Sequence, residues 1–111
     1  MKRLLPVLMG FVVLLLSATE GWNADFQKGA AAFEKGDYAT ALREFEPLAE
    51  QGNADAQYGL GMMYANGQGV PQNHKTAVKW YRLAAEQGVA SAQHNLGMMY
   101  RQGPGVPQNL K

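Results

Sequence analysis

A chain of 111 residues with 47% hydrophobic and 17% charged side chains has the composition of one small folded domain, not of a disordered tail. It contains no cysteine, which excludes disulfides, thiolate metal sites, a cysteine nucleophile and the cysteine-linked anchor of a lipoprotein. Its formal charge of +1 is too small to attract nucleic acid or an anionic membrane surface.

Residues 1–21 have the layout of a signal peptide. Lys2 and Arg3 give a charged start, an apolar run follows over 4–16, and Ser17, Ala18 and Thr19 close it. A 13-residue apolar core, broken only by Pro6 and Gly10, suits a secretory leader and falls short of the ~20 residues that a membrane-spanning helix needs, which disfavours an uncleaved anchor. Cleavage is expected somewhere over 18–24, where no clean small-x-small pair stands out. The mature chain then lacks Lys2, Arg3 and Glu20 and carries eight basic and eight acidic residues, a net charge of zero. It is expected to be periplasmic or secreted, with no stable membrane anchor and no nucleic-acid partner.

The periodicity of the remaining chain is helical throughout. Over 25–35, Phe26, Ala30 and Phe33 recur at helical spacing behind Asp25, a suitable N-cap. Gly36-Asp37 forms a tight turn. A second helix over 38–51 gathers Ala41, Leu42, Phe45, Leu48 and Ala49 on one face. Gly52 closes it, and Pro47 is expected to bend it or weaken the bond back to Arg43. A third helix over 54–66 places Ala56, Leu60, Met63 and Tyr64 on its core side, with Tyr58, Met62 and Ala65 opposite. The glycine-rich segment 66–73 connects it to a fourth helix over 75–87, with Val70 as its apolar anchor and Asn73 as the next cap. In that helix Ala77, Trp80, Tyr81, Ala84 and Gly88 form the buried stripe, and Lys79, Arg82 and Glu86 face water. The small residues Ala56, Gly61, Ala77 and Ala84 let the paired helices approach closely.

The stretch 49–75 is written again, shifted by 36 residues, as 85–111; eight of the 27 aligned pairs differ and 19 are identical. A period of this length marks a solenoid, whose units bury their apolar faces only against neighbours. Three units follow: 25–52, which lacks five residues in its turn, then 53–88, then an incomplete 89–111. The last unit stops where its second helix should begin. Either it is a truncated member of a longer family, the preferred reading, or another chain covers the open end by self-association.

The pattern Ala-x-x-x-Leu-Gly-x-x-Tyr-x-x-Gly-x-Gly-Val-x-x-Asn, followed by Ala-x-x-Trp-Tyr-x-x-Ala-Ala-x-x-Gly, spans 56–88 and partly recurs over 92–109. It resembles the Sel-1-like repeat, and the first unit, with its short Gly-Asp-Tyr turn, is more similar to a tetratricopeptide repeat. The resemblance implies an all-α, right-handed α/α solenoid of helix-turn-helix units, about two and a half repeats long. Such solenoids commonly serve as scaffolds for protein–protein contacts, are often exported in bacteria, and line their concave surface with first helices. Two other roles follow from the same resemblance. Cysteine-rich secreted relatives have been associated with β-lactam binding and hydrolysis, and the fold also serves envelope and polysaccharide-export assemblies. The lack of cysteine weakens the first of these.

The residues themselves give little support to catalysis. Gly67-x-Gly69 lacks the third glycine and the lysine-serine pair of a phosphate loop and recurs as Gly103-x-Gly105, so it is a connector. Glu50 and Glu86 occupy one slot in successive units, as solvated surface positions do, whereas an acid and a base need different environments. His74, in the loop, and His94, opposite the core, lack metal-ligand spacing. No catalytic residue, metal or cofactor is expected.

Positions identical between the copies build the fold, so exposed positions that differ are where specificity belongs. The differing pairs are Asn53/Val89, Asp55/Ser91, Tyr58/His94, Gly59/Asn95, Ala65/Arg101, Asn66/Gln102, Gln68/Pro104 and His74/Leu110. Tyr58, His94, Ala65 and Arg101 share the outward face of the first helices. Met62 and Met98 point away from the core there, where polarizable methionine suits an adaptable surface or a contact with the neighbouring unit. Tyr58, Met62, His94, Met98 and Arg101 are therefore the expected surface for a protein or peptide partner, with Tyr58 and Arg101 as anchors.

Overall fold

The computed structural model describes residues 24–103; the expected leader and the part of the third unit after Gly103 lie outside the described residues. Among the described residues five helices follow one another: α1 (Phe26–Glu34), α2 (Tyr38–Glu50), α3 (Ala54–Asn66), α4 (His74–Glu86) and α5 (Ala90–Gln102). Each packs mainly on its chain neighbours, and α3 also touches α5. The chain is thus an all-α solenoid of paired helices.

Local chemistry sets the boundaries. The Asp25 carboxylate accepts hydrogen bonds from the backbone of Gln27 and Lys28 at 2.9 and 3.3 Å. Asp37 caps α2 through the Thr40 N–H, and hydrogen bonding from Thr40 holds its carboxyl below the ordinary range. Asn53 and Asn73 cap α3 and α4 in the same way. Valine replaces asparagine at residue 89, and α5 starts without a side-chain cap. Replacing Asn73 with alanine should cost about 1 kcal/mol, measurable by urea denaturation, because it orphans the Thr76 N–H. α2 runs through Pro47 to Glu50. His74 is the first residue of α4, not part of the loop as its sequence suggested.

Two apolar clusters form the core. The first contains Ala32, Ala41, Phe45, Ala49, Ala56, Leu60 and Met63, with Trp80 and Val70 packed against it. The second contains Ala77, Val78, Tyr81, Ala84, Ala92 and Met99. α3 lies between them. Its Ala56, Leu60 and Met63 enter the first cluster, while Tyr58, Met62, Tyr64 and Ala65 lean on the second. The side of α3 that looks outward by helical count is therefore half-buried, because a first helix inside a solenoid has neighbours on more than one flank. Gly88, placed by its spacing in the buried stripe of α4, is exposed beyond the helix end, where its φ of 96° turns the chain into α5.

Aromatic rings set the spacing between units. The Phe45 ring stands between Gly29 of α1 and Gly59 of α3, each so close that a Cβ would lie 2.8 Å from it. Tyr81, one period later, stands between Gly61 of α3 and Asn95 of α5; a Cβ at Gly61 would lie 2.5 Å from its ring, and the Asn95 amide donates to its hydroxyl at 3.4 Å. Burial pushes the Tyr81 phenol above its ordinary range.

Glutamine amides, buried at Gln57 and exposed at Gln87 and Gln93, complete the joints. Gln57 donates its amide to the Ala49 carbonyl at 3.2 Å, and Gln93 repeats this on Ala85 at 3.1 Å. Gln87 donates both to the Gly52 carbonyl and to the Gln57 Oε1, at 3.0 and 2.9 Å. The bonds to the Ala49, Gly52 and Ala85 carbonyls each join a unit to the one before it, while the Gln87–Gln57 bond braces the second unit internally. The loop after α3 is also tied back, with the Gln68 amide on the Tyr38 hydroxyl. Gly69, at φ 77°, rests on Tyr38 so closely that a Cβ would meet its side chain at 2.9 Å.

Candidate binding grooves

Two clefts open along the row of first helices. The first, about 200 Å³, lies between α1 and α3; Phe26, Phe33, Tyr58 and Met62 line it, with Phe45 and Gly59 also in its wall. The Phe26 ring stacks on that of Phe45 at 5.4 Å between centroids. Glu34 and Asp55, both exposed, are the charged members of its lining.

The second cleft, also about 200 Å³, lies between α3 and α5. Tyr81, Asn95 and Met98 take the places of Phe45, Gly59 and Met62 one period earlier, joined by Asn66, His74, Met99 and Gln102. The two are therefore the same inter-unit groove in different chemistry: apolar with acidic groups in the first, amides and an imidazole in the second. His74 is half-buried in this lining, and its Nδ1 is buried without a hydrogen-bond partner, an unmet polar atom that a bound group could satisfy. Its position in the chain had suggested no role beyond surface.

Of the five residues expected at the surface, Tyr58 and Met62 line the first groove and Met98 lines the second. Tyr58 also tilts its ring against Tyr81 at 5.8 Å, so it joins the two wedge positions. His94 and Arg101 are exposed on α5, outside both linings. Sequence reasoning missed Phe26, Phe33, Phe45, Tyr81 and Asn95 as groove residues. One signal was legible: Phe45/Tyr81 and Gly59/Asn95 change together between the copies, hydroxyl appearing with its amide partner.

Glu50 and Glu86 are exposed, each at the last residue of its helix. Among the described residues no group of three or more His, Cys, Asp or Glu could hold a metal ion. None of the described helices is long and apolar enough to cross a membrane.

No curated protein matches the chain in sequence. Among solved structures it is similar to a Sel1 repeat protein from Oxalobacter formigenes, at 36% identity over 77% of this chain and 35% of that one, with a TM-score of 0.72. It is also similar to a protective antigen present in uropathogenic Escherichia coli strains displaying an SLR fold, at 36% identity over 76% of this chain and 22% of that one, with a TM-score of 0.59. The chain thus spans about a third or less of the length of these relatives. The family described as Sel1 repeat matches residues 54–89 and 90–111, more than half of the chain. With its wedge aromatics and paired helices, this chain belongs to the Sel1 repeat family, within the tetratricopeptide-like superfamily of helical repeats.

Proposed function

We propose that the protein is an exported scaffold of the bacterial envelope that holds a protein or peptide partner along its row of first helices. Tyr58, Met62, His94, Met98 and Arg101 are its contact residues. One observation carries this reading: two equivalent grooves open side by side on that row, and three of the five residues line them. A segment lying across α1, α3 and α5 would place side chains in both and pass the exposed Arg101. Tyr58 is a rigid aromatic and Arg101 a planar donor, the residue types that dominate binding energy at interfaces.

Capture of periplasmic proteins on the immobilised chain tests this. Tyr58→Ala together with Arg101→Ala should remove the retained partner, whereas Lys79→Ala on the exposed side of α4 should not. Equal retention by all three forms would mean that the face is wrongly chosen. Export rests on the leader, and the N-terminus of the mature chain should begin within or just after 18–24 when read by mass spectrometry.

A further inference from the structure

The two grooves share a plan but not a chemistry, and the difference specifies what each can hold. The first offers Phe26, Phe33, Phe45, Tyr58 and Met62 to a bulky apolar side chain, with Gly59 keeping its wall low. Apolar clefts of this kind bind through the area that they remove from water. Glu34 and Asp55 belong to the same lining, one from each flanking helix. Both are exposed, and among the described residues neither has a cation within salt-bridge distance; the ion pair found there joins Lys28 to Glu44 instead. Two uncompensated carboxylates beside an apolar cleft disfavour an acidic ligand and reward a basic one. In the second groove the space beside the aromatic ring is taken by Asn95, bonded to the Tyr81 hydroxyl, so an apolar side chain is better placed in the first.

We infer that the first groove is a specificity pocket for a bulky apolar residue flanked by lysine or arginine, carried on a peptide segment of the partner. The inference rests on the scaffold reading above. The apolar side chain packs against Phe26, Phe33 and Met62, and the basic neighbour reaches Glu34 and Asp55. Rim carboxylates act mainly on selectivity and salt dependence, while the apolar contact supplies most of the affinity.

The test is a displayed library of random dodecapeptides panned on the immobilised full chain, followed by fluorescence anisotropy with synthetic copies of the enriched peptides. Enriched sequences should pair Phe, Trp, Leu or Met with an adjacent Lys or Arg. Their affinity should fall about three- to tenfold in the E34K/D55K double variant, less in E34Q/D55N, and also with added salt. Both positions are exposed, and circular dichroism checks that the variants fold. Enriched peptides without basic neighbours, or affinities indifferent to E34K/D55K, overturn the inference. If such peptides are still lost with Tyr58→Ala and Arg101→Ala, the scaffold reading survives and only the specificity fails. No enrichment at all sinks both. A second copy in the groove would appear as a dimer by light scattering that E34K/D55K dissociates, and this too overturns the inference.

Discussion

Phe45→Ala should be among the most damaging single substitutions in the described chain, lowering stability by about 3–5 kcal/mol. The ring is 3% exposed, stands between Gly29 and Gly59, and stacks on Phe26. Gly29 and Gly59, which flank the ring on the two helices, have no side chains with which to fill the space. A folded region of this size holds only ~4–12 kcal/mol in all. Thermal melting followed by circular dichroism should show Tm lowered on the order of 20 °C. The same substitution deepens the first groove, so apolar peptides should lose affinity even below the melting range. A Tm within about 5 °C of the parent would mean that the ring does not set the spacing between units.

The second large effect comes from one motif with two opposite outcomes. Gly61 and Gly97 occupy the same place in the two copies of Leu-Gly-Met-Met-Tyr, each inside a helix. Helix propensity alone makes Gly→Ala favourable by about 1 kcal/mol. At Gly97 the nearest atom among the described residues that a Cβ would meet, outside its own helix backbone, is the Arg101 guanidinium at 3.8 Å. Gly97→Ala should therefore stabilise the chain by about 0.5–1 kcal/mol. At Gly61 the Cβ would come within 2.5 Å of two Tyr81 ring carbons. That ring is buried and cannot swing away without disturbing Asn95 and Tyr58. Gly61→Ala should therefore destabilise by about 1–3 kcal/mol despite the propensity gain. Urea midpoints for the two variants, measured side by side, check the pair. Equal signs would show that α3 and α4 are not locked through Tyr81.

These cases show what the residues disclosed and what they withheld. The starts of α1 and α4 were legible because Asp25 and Asn73 act on backbone groups two or three residues away, a local chemistry. The core side of α3 was legible because Ala56, Leu60 and Met63 follow one helical period. Period analysis assumes that a helix has a single buried side, and so it placed Tyr58, Met62 and Ala65 outside, where the second cluster half-covers them. The grooves were hidden for a related reason. Phe45 and Tyr81 were recognised as core, but a ring wedged between two helices is core on its flanks and groove wall at its end, and only geometry separates these roles. Gln57 and Gln93, unchanged between copies, were assigned to the scaffold as a class; their amide bonds to Ala49 and Ala85 leave no mark in hydrophobic patterning.

The glutamine bonds have a consequence for how such a chain grows. Gln57 and Gln93 hold the end of the preceding helix pair, and Gln87 holds both the preceding turn and Gln57. The second and third units thus carry donors that grip the unit before them, and the first and second present the carbonyls that are gripped. A tandem duplication that copies one whole period also copies a working joint, with no compensating change needed on either side. The near-verbatim echo of 49–75 in 85–111 is what such copying leaves behind, and the freedom to diverge is largest where no joint is made, at the lining of each new groove.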